Sequence, residues 1–144
     1  MALRDILFFS EGITYILKDK QKVRQWIQDT VKSEGFKRVG QLSFILCSDE
    51  YLLNINQEYL NHNTYTDIVT FDSSEEDDVI EGDIFISVER VIENANKFDV
   101  SQRDELHRVI IHGVLHLCGY HDKKKEEKNL MTEKENEYLL KRPF

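Results

Sequence analysis

Apolar residues recur along the chain with two periods, and their alternation sets the order of elements. Ile6-Leu7-Phe8-Phe9 is a short run of strand type, with Ile13 to Leu17 either continuing it or entering a loop. From Lys20 to Glu34, Val23, Trp26, Ile27, Thr30 and Val31 return at helical spacing between charged residues, and Gly35 supplies the stop. Leu42 to Cys47 reads as a largely buried strand. Ser48 or Asp49 then caps a helix through Tyr59, with Leu52, Leu53, Ile55, Asn56 and Tyr59 as a mixed stripe. Asn61-His62-Asn63-Thr64 has turn chemistry and leads into Asp67 to Phe71, a β-branched run that reads as a strand. The acidic segment Ser73 to Glu81 reads as an exposed loop, followed by a strand at Ile84-Phe85-Ile86, with Gly82-Asp83 as turn punctuation between them. Ser87 caps a helix to about Lys97, and Ser101 with Asp104 opens the next. The last segment, Lys124 to Leu140, alternates charges with Leu130, Met131, Tyr138 and Leu139, as an amphipathic closing helix would.

The helix that opens at Ser101 differs from the others. Leu106, Val109, Ile110, Gly113, Val114 and Leu117 form one apolar face suited to a sheet, while Leu115 and Cys118 make the remaining side apolar too. A helix of this kind belongs at the centre of a fold, with one polar strip open to a cleft. That strip carries His112 and His116. Four residues apart, they lie about 40° apart around the axis and one turn apart along it, so both imidazoles can reach one ion. Glu105 falls within about 20° of both and Arg108 within about 80°. Gly119 offers the positive φ that ends a helix, after which the chain can turn back and bring Asp122 or His121 beneath the pair.

Two imidazoles and a carboxylate make a three-ligand site with an open position, the arrangement of catalytic zinc. Such an ion acidifies bound water and polarises a phosphoryl or carbonyl oxygen, so hydrolysis is the natural chemistry. Zinc peptidases place a glutamate directly after the first histidine as general base; here that position is Gly113, and a peptidase lacks its base. Cys118 points about 160° away from His116 on the helix, which sets it aside as a fourth ligand.

At 144 residues the chain is expected to be a single domain, 1–144. A formal charge of −8 argues mildly against holding nucleic acid by bulk electrostatics alone, without excluding RNA as a substrate. Much of the negative charge lies in Glu75-Glu76-Asp77-Asp78 with Glu81 and Asp83, whereas Lys18 to Arg24, Lys37-Arg38 and Lys123-Lys124-Lys125 could supply a local positive lip. Cys47 and Cys118 each sit in an apolar run, which suits buried thiols in a reducing cytosol. No apolar run approaches membrane-spanning length, and the expected location is cytoplasmic, with no membrane partner.

The segment His112-Gly113-Val114-Leu115-His116-Leu117-Cys118-Gly119-Tyr120-His121-Asp122 resembles the signature of the YbeY endoribonucleases, His-Gly-x-Leu-His-Leu-x-Gly-Tyr-Asp-His. Asn56, the stretch Thr66 to Phe71, Gly82 to Ser87, Glu105-Leu106, Met131 and Glu135 fall in that family's order as well. The resemblance implies an α+β domain with a mixed sheet of about four strands surrounded by helices, the metal-binding helix at its centre. It further implies a metal-dependent, single-strand-specific endoribonuclease acting in ribosomal RNA maturation and ribosome quality control. One Zn2+ per chain would be held by His112, His116 and Asp122, with His112, Glu105 and Arg108 as candidate catalytic residues and attack by water or by the 2′-hydroxyl. The implied partners are single-stranded RNA, ribosomal RNA and the ribosome, with no DNA. Thr66-Asp67 would line the cleft, and Glu105 would orient a ligand histidine or simply serve the helix dipole. His62 and His107 read as ordinary surface or hydrogen-bonded residues.

Two positions depart from the family pattern. Its third ligand is a histidine where this chain has Asp122, with His121 one step earlier; Asp122 matches by spacing and is preferred, His121 being the alternative. Its arginine six residues before the Thr-Asp pair is replaced by Leu60, so Arg108, Arg103 or a lysine would have to meet the phosphate. Leu60 and the acidic balance motivate a second reading, a ribosome-associated RNA-binding factor with a structural metal and little cleavage.

Overall fold

Three serines set the punctuation of the fold. In the computed structural model, which describes residues 5–144, the hydroxyls of Ser48, Ser87 and Ser101 accept hydrogen bonds from the backbone N–H of Tyr51, Arg90 and Asp104. Each satisfies one of the orphan donors at a helix start, a contribution of about 1 kcal/mol apiece. The helices they open are α2 (Asp49–Leu60), α3 (Val88–Phe98) and α4 (Gln102–Leu117). The remaining elements are β1 (Ile6–Glu11), α1 (Lys20–Ser33), β2 (Arg38–Cys47), β3 (Ile68–Asp72), β4 (Val79–Ser87) and α5 (Lys125–Leu140).

The strands form one mixed sheet in the order β1-β2-β4-β3. β1 and β4 both run parallel to β2, and β3 pairs antiparallel with β4 at the opposite edge from β1. Side-chain alternation along β4 divides the core. Ile84 and Ile86 join the large apolar cluster with α1, α4 and α5, whereas Phe85 faces a smaller cluster of Ile45, Cys47, Leu52 and Val69 that includes α2. The fold is therefore α+β with a four-stranded mixed sheet, as the family resemblance implies.

α4 packs against α1, α3, α5, β3 and β4, and its apolar positions Ile110, Ile111, Val114 and Leu115 are fully buried. Each such side chain contributes about 1.5–3 kcal/mol over an exposed one. α4 comes close to the sheet at Gly113. A Cβ there would lie 2.9 Å from both Ile68 Cδ1 and Ile84 Cγ2. The missing side chain is thus a packing requirement, which accounts for a glycine where a peptidase carries its base.

Several boundaries differ from the sequence expectation. β2 begins at Arg38 and β4 at Val79, because Arg38 pairs with Val79 and Val39 with Ile80 before a register shift ahead of Leu42. Val79 and Ile80 are buried, so the exposed acidic loop ends before them. Gly82-Asp83 lies within β4 rather than in a turn. Residues 13–17 form a loop that buries Leu17, and do not extend β1. On α5 the inward face is Met131, Glu135 and Tyr138, at helical spacing, which leaves Leu130 exposed.

Candidate metal centre

The end of α4 is built to stop sharply. Gly119 takes φ +109°, the Gly119 N–H reaches the His116 carbonyl at 3.0 Å, and the Tyr120 N–H reaches Leu115 at 3.1 Å. This pair of bonds is the αL termination expected of a glycine just past a helix end. The chain then folds back so that Asp122 lies under the histidine strip. Asp122 Oδ2 is 3.2 Å from His112 Nε2 and 3.3 Å from His116 Nε2. The three donor atoms lie within 4.8 Å of one another, and they form the metal-competent cluster found among the described residues. His121 is exposed and stands outside it.

The His112 ring is oriented from α5. Its Nδ1 lies 2.6 Å from Glu135 Oε2, and since a carboxylate only accepts, Nδ1 carries the proton and Nε2 turns its lone pair toward Asp122 and His116. Glu135 is itself held by Arg108, which donates from Nη1 to Oε1 at 2.8 Å and from Nη2 to Asn136 at 2.7 Å. Burial opposes a charged His112, yet the hydrogen bond His112 donates to Glu135 and the nearby carboxylates of Glu135, Asp122 and Asp67 outweigh it and raise the imidazole pKa. The same negative field favours a cation among these ligands. The donor set, its convergence and the fixed tautomer fit a zinc-type site in which three protein ligands would leave one position open.

The cluster opens into a cleft of about 690 Å³ walled by α4, by residues 64–70 leading through β3, and by the loop after α4. Thr66 and Asp67 line it, as does the half-exposed Leu60. Asn56, buried beneath the rim, donates from Nδ2 to the Thr64 carbonyl at 2.9 Å and holds the strand entry in place. Glu105 forms part of the wall; burial, then Asp67 and Glu135, raise its pKa, with Arg108 opposing. Burial likewise raises Asp67, against the pull of His112. Among the described residues the lining holds four carboxylates (Asp67, Glu105, Asp122 and Glu135) and two basic side chains, Arg108 and Lys123.

The candidates for the vacant arginine position sort clearly. Arg103 pairs with Asp19 at 3.1 Å and stacks over Phe144, outside the cleft. Arg108 is committed to Glu135 and Asn136, whereas Lys123 reaches the cleft beside Asp122. His62 lies on the rim, and His107 is buried on the other side of α4. Cys118 is held as a thiol, its pKa pushed up to about 12 by burial, and takes no part in the cluster. The role of Glu135 was the least visible in sequence. Its signals are its place in the family's order and its position on the inward face of α5 between Met131 and Tyr138.

A family model described as Endoribonuclease YbeY matches residues 11–142. A Cytophaga hutchinsonii protein named Endoribonuclease YbeY is 48% identical over 144 residues, spanning all of both chains. One of the same name from Christiangramia forsetii is 50% identical over 139 residues, 96% of this chain and 95% of the relative. The solution structure of a Thermotoga maritima protein superposes with a TM-score of 0.63 at 29% identity, covering 92% of this chain and 86% of that one. With the helix, its glycine stop and the His-His-Asp cluster in place, these matches identify the chain as an endoribonuclease: it belongs to the YbeY endoribonuclease family.

Proposed function

We propose that this endoribonuclease is metal-dependent, cuts single-stranded RNA, and serves ribosomal RNA maturation and ribosome quality control in the cytoplasm, with one Zn2+ held by His112, His116 and Asp122. The observation that carries this reading is the convergence of His112 Nε2, His116 Nε2 and Asp122 Oδ2 at the base of an open cleft. When bound, zinc supplies a Lewis acid for a phosphoryl oxygen and an acidified water. The protein's own groups do the positioning. Glu135 keeps the His112 proton at Nδ1, and Arg108 holds Glu135 in register. Lys123 supplies the ammonium for a phosphate oxygen, taking the place of an arginine at Leu60. Glu105 lines the cleft wall, where burial raises its pKa, and is the group placed to serve as proton donor to the departing ribose oxygen.

The test is cleavage of single-stranded and duplex RNA, including a ribosomal RNA precursor, by zinc-loaded protein beside a His116→Ala variant. The expected result is cutting within single-stranded segments, reduced about 100-fold or more in the variant. A 2′,3′-cyclic phosphate end identifies the 2′-hydroxyl as nucleophile, and a 5′-phosphate with a 3′-hydroxyl identifies water. Equal cleavage by both proteins would sink the proposal. Tight RNA binding without cleavage would favour the binding-factor reading that Leu60 motivates.

A further inference from the structure

Glu34 closes α1 and is not among the residues lining the cleft, and its side chain is only 10% exposed. Its carboxylate gathers three partners from distant segments. Oε1 accepts the Tyr120 hydroxyl at 2.7 Å, Oε2 accepts the Tyr138 hydroxyl, and Lys134 Nζ lies 3.5 Å from Oε2. Tyr120 is in the loop that follows α4, two residues before Asp122. Its neighbours Gly119 and His121 are exposed, while its own ring packs against the main core. Lys134 and Tyr138 flank Glu135 on α5, at one residue before it and three after. Lys134 also lies 6.0 Å over the Tyr120 ring, joining the two arms.

We propose that Glu34 is a positioning residue for the metal centre: through Tyr120 it fixes the loop that presents Asp122, and through Tyr138 and Lys134 the turn of α5 that presents Glu135. The inference rests on the metal site proposed above. One carboxylate outside the site therefore sets the placement of the one loop-borne ligand and of the group that orients His112. Small displacements of a ligand loop weaken coordination without unfolding the protein, so the effect belongs in metal affinity before it appears in stability.

Zinc affinity, read by competition with a chromophoric chelator, and the thermal midpoint in EDTA separate these quantities. Tyr120→Phe removes one hydroxyl and keeps the ring; Glu34→Gln removes the charge; Thr30→Val is a control elsewhere on α1, where the Thr30 hydroxyl donates to the Trp26 carbonyl. Tyr120→Phe and Glu34→Gln are expected to weaken Zn2+ binding by about 10-fold or more, with the double variant losing little beyond the worse single one. Thr30→Val should bind Zn2+ like the parent. Parent-like affinity in Tyr120→Phe, or an equal loss in Thr30→Val, overturns the proposal, and Tyr120→Phe alone decides it if Glu34→Gln does not fold. A parent protein that binds no Zn2+ overturns the metal site itself; a parent that binds it beside unaffected variants overturns only the role of Glu34.

Discussion

Leu60 and Lys123 face the same cleft with opposite chemistry, and the pair carries a test at the scale of single residues. Lys123→Ala should raise KM for single-stranded RNA several-fold and reduce the slope of log affinity against log salt by about 0.7, the value for one phosphate contact on a single strand. Leu60→Arg should do the reverse, lowering KM and steepening the slope. Both are read from initial rates across a salt series. An unchanged slope in Lys123→Ala would remove that lysine from the substrate path. The histidine pair was legible from helix periodicity and the glycine stop announced a third group behind it, but spacing left Asp122 and His121 open and the family signature made the choice. Glu135 stood in the family's order without a legible role. Its contact to His112 spans 23 positions and depends on how α5 crosses α4, which no local pattern encodes.

At the scale of elements, α4 meets the sheet closely at Gly113. Alanine is the better helix former by about 1 kcal/mol, so a free helix would gain from Gly113→Ala. Here the added methyl meets Ile68 and Ile84, whose displacement costs about 1–3 kcal/mol. The expected outcome is a net loss of about 1 kcal/mol, seen as a thermal midpoint lower by roughly 3–5 °C. A raised midpoint would show that the sheet yields easily. Helix starts were readable because serine hydroxyls mark them, to the residue at Ser87 and Ser101 and to within one at Ser48, where Asp49 was the alternative. The starts of β2 and β4 were hidden by composition. Arg38 and the residues beside the acidic run look like surface, and only the pairing of Arg38 with Val79 and of Val39 with Ile80 draws them into the sheet.

Across the whole molecule, His107 ties α4 to α1 and to the C-terminal segment. Its ring sits 5.7 Å from Trp26 and 5.2 Å from Phe144, and Arg142 donates to Nδ1 at 2.7 Å, which requires a neutral imidazole. Burial, then Arg142 and Arg103, push its pKa down to about 4 from 6.5. The unfolded chain therefore binds the proton first as pH falls, and stability present above 6.5 is lost progressively toward 4. In EDTA, urea unfolding should be about 2 kcal/mol less favourable to the native state at pH 5 than at pH 7 on account of this group. A His107→Phe variant should lack that part of the slope; an identical slope in both proteins would exclude His107 as its source. Among the described residues no helix is long and apolar enough to cross a membrane. The break at Gly119 divides the proposed ligands by their support: His112 and His116 stand on a helix packed by five neighbouring elements, while Asp122 stands in the loop between α4 and α5. An ion held there as proposed would be able to exchange by displacement of that loop, without any unravelling of α4. Metal release would then be a local event, and on heating the expected order is loss of the ion before loss of the fold, read by a chelator-trapping assay beside the unfolding curve.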